Sequence, residues 1–247
     1  WSYGVRSADG SIAAVDGVRF VDGATLPAAR GRRVLPSLCA MELERWDAGE
    51  RPAILIATAT PAAQRSHTRN GASTLTPIVS AVGLPRSLAP ARLVTGGSVI
   101  DSLTSDLATP STPGVLGTAW SPAALRWRTD RRSGHTYDAA SLAAGDGANG
   151  LVFRIESRRG LRMLVPLVSW GSPRDRRRLL GAVAIRHGCP VVLAPVGAGA
   201  ADPHLRPLRP TGESIVCVWN LRPAGEVPDA TRDDAWAFTM ADLEGLI

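Results

Sequence analysis

Arg174, Arg176, Arg177 and Arg178 fall in the first turns of a helix predicted to begin at Ser172. Aligned amide dipoles make that end of a helix positive, so each cation there costs roughly 0.3–1 kcal/mol unless something offsets it. An anion held jointly by free amide N–H groups and guanidinium forks would do so. Arg126, Arg128, Arg131 and Arg132, with Trp127 among them, and Arg158 and Arg159 lie on or beside predicted hairpins. A basic face with an interleaved aromatic suits phosphate or base contacts, although a solvated surface or acidic partner subunits would account for the same residues.

Other chemistry-bearing residues carry less. Residues 145–150, Gly145-Asp146-Gly147-Ala148-Asn149-Gly150, match G-x-G-x-x-G, but a strand is predicted after them where a dinucleotide site needs a helix. His67, His135, His187 and His204 have no zinc-site spacing, so no metal or other cofactor is expected. His187 and Cys189 are explained by a helix end and a strand start. Ser133, His135, Tyr137 and Asp138 crowd one turn without the G-x-S-x-G elbow of a nucleophilic serine. His135, Asp138 and Glu156 remain the residues around which an enzyme site assembled from distant positions would be sought.

Arg178-Leu179-Leu180-Gly181-Ala182, following a strand, resembles the pyrophosphate-binding R-x-x-G-x-A turn of the GNAT acetyltransferases. The glycine-rich spacing that precedes the helix in that family is absent, and Gly188 follows Gly181 by only seven positions, too few for the helix that such a turn starts. These residues do not assign the family.

The elements that must position all this centre on residues 151–197. Two apolar runs, 151–156 and 161–170, separated by Ser157-Arg158-Arg159-Gly160, predict a hairpin. Ser172, Pro173 and Asp175 supply a helix cap, its first position and the capping acid, while Gly188 and Pro190 end that helix before a strand at 190–196. Three Asp-Gly pairs in residues 1–23 predict an amino-terminal β-meander. Further expectations are a helix at 35–46, a buried strand at 53–60, a turn or loop at 62–71, a helix at 98–107, and a hairpin of strands 124–129 and 136–142. Residues 197–213 lack periodicity, a strand follows at 214–221, and an amphipathic terminal helix runs from Thr231 to Ile247. No internal repeat is visible. The expected fold is α+β: one mixed, hairpin-rich domain over residues 1–247 with a ββαβ core and that terminal helix. Lobes 1–107 and 123–247, joined by a Thr/Pro/Ser/Gly-rich segment, are the alternative division.

With 247 residues and 45% apolar content, the chain can bury a core without staples. All 28 basic residues are arginine, and the net charge is +6. A GC-rich genome explains the missing lysine, and selection for bidentate guanidinium contacts is the sharper account. Three scattered cysteines argue against a disulfide framework, and no apolar run is long enough to span a membrane. No signal peptide is visible, so an intracellular or virion setting is expected. On these grounds the expected function is a structural or assembly protein, such as a virion capsid subunit, contacting other protein subunits, RNA or DNA through its arginines. A sequence-nonspecific nucleic-acid-binding module is the second expectation and an enzyme without local motifs the third.

Overall fold

The computed structural model describes residues 2–20, 28, 32, 34–47, 52–130, 135–145, 148–197, 199, 200, 204–222 and 228–243. Strands β1 (Ser2–Arg6) and β2 (Ile12–Phe20) are followed by α1 (Val34–Asp47), β3 (Ile54–Ala59), α2 (Pro61–Arg69), β4 (Ser73–Thr74), β5 (Ile78–Pro85) and β6 (Leu93–Thr95). Two single turns, α3 (Ser98–Asp101) and α4 (Ser105–Ala108), lead to β7 (Leu116–Thr118), α5 (Pro122–Arg128) and β8 (Tyr137–Leu142). Then come β9 (Gly150–Arg158), β10 (Leu161–Trp170), α6 (Pro173–Arg186), β11 (Val191–Val196), β12 (Leu205–Asn220) and α7 (Met240–Leu243).

Local chemistry sets most boundaries. Ser172 Oγ accepts a hydrogen bond from the Asp175 amide at 3.1 Å and donates to the Asp175 carboxylate at 3.0 Å, which starts α6. Arg159 and Gly160, at φ 52° and 80°, make the tight turn between β9 and β10. Several expectations from sequence do not hold. Residues 62–71 are largely helical in α2, because Thr60 caps the helix by accepting from the Ala63 amide at 3.3 Å and Pro61 presets its first position. Residues 124–129 belong mostly to α5 rather than a strand, since Ser121 accepts from the Ala124 amide at 3.1 Å.

Residues 98–107 break into α3 and α4 rather than forming one helix. The aperiodic stretch before residue 214 contains the first half of β12, whose register shifts between Pro207 and Arg209 and between Pro210 and Gly212, as prolines in a ladder require. The terminal amphipathic helix is replaced, among the described residues, by a 3₁₀ turn at Asp233–Ala235, bridges from Trp236 to Leu116 and from Phe238 to Ala200, and the single turn α7.

One large mixed sheet with several helices results, in the order β6-β8-β9-β10-β11-β5-β12-β3-β2-β1-β7, with β4 beside β12. An internal repeat emerges here that the sequence did not show. β1 and β2 form an antiparallel hairpin, and α1 carries the chain to β3, parallel to β2. β9, β10, α6 and β11 repeat that path. The strands that leave the two units are exchanged: β5, which follows the first unit, pairs with β11, and β12, which follows the second, pairs with β3. β5 and β12 pair with each other at the centre, and from there outward to β7 and to β8 the order of parallel and antiparallel neighbours is the same on both sides.

α6 covers the second unit through Leu179, Leu180, Val183 and Ala184, all buried against Leu164, Val192 and Ala194. Each large aliphatic side chain buried this way is worth about 1.5–3 kcal/mol as an upper estimate. Gly181 lies on the same helix, where a Cβ would stand 1.8 Å from the Ser87 carbonyl oxygen. Close approach of backbone to helix, not a phosphate turn, accounts for that glycine. Gly181→Ala should destabilise the fold by about 1–3 kcal/mol in urea unfolding through this backbone clash; an unchanged midpoint would contradict the packing described.

Candidate functional site

The two β-α-β crossovers put two chemically different places at equivalent points of the fold. At the first, α1 carries no acidic residue in its first turn, and Arg30, Gly31, Arg32 and Arg33 immediately precede it in sequence. Its positive end therefore has no carboxylate of its own in that turn. Phe20, the last residue of β2, stacks on His67 of α2 with ring centroids 6.3 Å apart, and Trp219 meets the same imidazole edge-on at 5.4 Å. Cys39 Sγ of α1 lies 4.0 Å from His67 Nδ1. Burial pushes the Cys39 thiol up and the His67 imidazole down, so both are neutral near pH 7 and the pair is not a thiolate–imidazolium nucleophile.

The second place differs at each of these points. α6 begins almost directly after β10, and the Asp175 carboxylate, 1% exposed, sits in its first turn. A buried negative charge from the same chain thus complements the helix end, with Arg178 4.0 Å from it. β10 and β11 pair only at Met163↔Val191 and Leu164↔Val192, although β10 continues to Trp170 and β11 to Val196. Beyond those pairs the strands diverge, and a narrow recess opens between them, lined by Pro166, Val168, Ala194, His204 and Met240. It adjoins a cleft of about 580 Å³ at the end of β10, to which Arg6, Thr109, Trp120, Trp170, Arg176 and Trp236 contribute; Val168, Ser169, Arg176 and Thr239 line both.

The arginines singled out in the sequence are dispersed. Arg126 is ion-paired with Asp101, and Arg128 Nε donates to the Ala241 carbonyl at 3.2 Å. Arg131 and Arg132 lie outside the described residues. Arg174 and Arg177 are exposed, Arg176 faces the cleft, and Arg178 leans toward Asp175. His135, Asp138 and Glu156 line neither cleft. Burial works to raise the Glu156 carboxyl, but the hydrogen bond and charge of Arg154, with the charges of Arg158 and His135, hold it below its ordinary value. Of the glycine-rich stretch, Gly150 opens β9 and the Asn149 side chain accepts from the Leu142 amide at 2.8 Å, so a strand and not a helix follows; Asp146 and Gly147 lie outside the described residues.

Sequence reasoning missed Met240 and Asp242. Asp242 Oδ1 accepts from Thr118 Oγ1 at 2.5 Å and from Arg19 at 3.4 Å, and its Oδ2 accepts from the Thr239 amide and hydroxyl at 2.7 Å each. Thr239 is three residues from Asp242, but Thr118 and Arg19 are far away in the chain and no local signal joins them to it.

The fold is that of solved acetyltransferases. A GCN5-related N-acetyltransferase from Anabaena variabilis superposes with a TM-score of 0.61 at 14% identity, covering 90% of this chain and 58% of that one. One from Kribbella flavida gives 0.55 at 16% identity, covering 90% and 56%, and Eis1 from Mycobacterium abscessus gives 0.54 at 16%, covering 87% and 59%. The chain thus spans less than two thirds of these structures' lengths. No family model and no curated protein sequence matches it. The expectation of a structural, capsid or assembly protein is overturned by this likeness to enzyme folds. Its physical premise was a crowd of cations needing an outside anion; Asp175, read from the sequence only as a capping acid, is a carboxylate buried among them.

Among the described residues, no helix is long and apolar enough to cross a membrane. The imidazoles yield a pH prediction. Burial lowers His67, and burial with the charges of Arg186 and Arg162 lowers His187 against the opposing pull of Asp138. The unfolded chain therefore binds protons near the ordinary imidazole value that the folded chain refuses, and stability falls as pH drops through that value. Melting should be lower at about pH 5 than at about pH 7.5, and His67→Gln should flatten the difference; a melting temperature that rises on acidification would contradict this.

Proposed function

We propose that this chain is the acyl-transferring part of a longer N-acyltransferase-like enzyme, with the donor at the first β-α-β unit. The observation that carries the reading is the unequal chemistry of the two helix starts within an acetyltransferase-like fold. α1 has no acid in its first turn and follows Arg30, Arg32 and Arg33, whereas α6 carries its own buried Asp175. A phosphate-bearing acyl thioester fits the former: helix amides and guanidinium forks supply what its phosphates need. Such a donor brings an activated acyl group. An amine nitrogen then forms the new C–N bond as the C–S bond breaks, and the proton that the nitrogen gives up ends on the departing sulfur, which leaves as a thiol.

The reading is tested with coenzyme A and acetyl-coenzyme A. Removing Arg30, Arg32 and Arg33 together by alanine substitution should weaken coenzyme A binding by about tenfold or more and reduce its salt dependence, with the far-ultraviolet spectrum unchanged. Loss of thiol release in an acetyl-transfer assay should follow. Binding that is indifferent to these three arginines, or absent from the unsubstituted chain, would overturn the reading.

A further inference from the structure

The second unit diverges between β10 and β11, yet the gap is not open from end to end. Met240, 1% exposed, is packed with Val165 of β10 and Leu193 of β11, the residues that follow the last parallel pair on each strand. Its unbranched thioether side chain occupies the place where an extended ligand would lie against the two diverging strand edges.

What holds Met240 there is side-chain chemistry rather than a ladder. Up to Phe238 the backbone is tied to the body, by the Ala237 amide to the Leu116 carbonyl at 2.8 Å and the Phe238 amide to the Gly199 carbonyl at 2.7 Å. From residue 239 onward no backbone-to-backbone bond to a strand occurs among the described residues; the bond from the Asp242 amide to the Thr239 carbonyl is internal. The anchor is the Asp242 carboxylate, buried and held by Thr118 of β7 and Arg19 of β2, with Arg128 donating to the Ala241 carbonyl. A carboxylate so placed is costly to bury unless all of these partners are present, so the segment docks or leaves as a unit.

We infer that residues 239–243 are a strap that closes the gap between β10 and β11 by seating Met240 in it, so that the second unit takes no donor while the strap is docked. The count of donors rests on the acyl-donor reading; the docking does not. The side chains of Met240, Ala241 and Leu243 are buried, so undocking gives up their packing together with the Asp242 contacts and breaks no ladder.

Amide hydrogen exchange on the full chain and its Asp242→Asn and Thr118→Val variants tests the docking. Each variant should speed exchange at residues 239–243 by about tenfold or more while the amides of residues 179–184 in α6 stay as they were. Uniform acceleration across both, or none at 239–243, would show an ordinary core element and overturn the strap. Calorimetry with coenzyme A tests the closure. One molecule should bind per chain, and Met240→Ala combined with Asp175→Asn, which clears the gap and also the α6 start, should admit a second once the chain is checked for cooperative unfolding. Two molecules on the unsubstituted chain, or one still on the folded double variant, would overturn the closure. No binding with selective exchange would remove the donor reading and leave the strap standing.

Discussion

The antiparallel pairing of β5 with β12, from Leu205↔Pro85 to Ser214↔Ile78, is the constraint on which the other parts of the molecule depend. Each strand belongs by sequence to one unit and by hydrogen bonding to the last strand of the other. Neither unit can therefore complete its sheet alone. Each leaves an edge that only the partner's departing strand covers, and an uncovered edge is costly and prone to mispairing. The exchange fixes the relative position of the two crossovers and places β7, at the far end of the first unit, where the carboxyl-terminal segment can span from it to β10.

Topological equivalence has not meant chemical equivalence. One helix start is complemented inside the chain by a capping carboxylate, the other preceded by arginines. One pair of parallel strands stays in register from Gly17↔Ile54 to Phe20↔Ala57, and the other separates after two pairs and receives a methionine. On the proposed reading, one copy of a repeated architecture takes the ligand and the other serves as scaffold, which would account for both differences. It also accounts for the buried Asp242–Arg19 pair, which links the strand entering the first crossover to the segment that fills the second.

Parts of this were legible in the sequence. The hairpin turn at Arg159 and Gly160 and the capping residues Ser172, Pro173 and Asp175 act through neighbours within a few positions, and local chemistry can be read locally. α2 and α5 were hidden because polar or arginine-rich composition outweighed their Thr60 and Ser121 caps. The repeat was invisible because its connections differ in length: residues 21–33 connect β2 to α1, while residues 171 and 172 alone connect β10 to α6. The single glycine that resembled a phosphate turn, Gly181, owes its presence to the Ser87 carbonyl packed against α6. Candidate site residues fared worse than elements, since Met240 and Asp242 draw their meaning from partners more than seventy positions away in sequence, such as Val165 and Thr118.

The central proposal is that the first crossover, rather than the second, takes the anionic ligand. Residue-resolved magnetic resonance of the chain titrated with coenzyme A addresses it directly. The account predicts shifts concentrated at the first turn of α1, residues 34–37, and at the end of β2, with residues 171–176 unmoved. Shifts centred on residues 171–176 and the recess beside Met240 would contradict it.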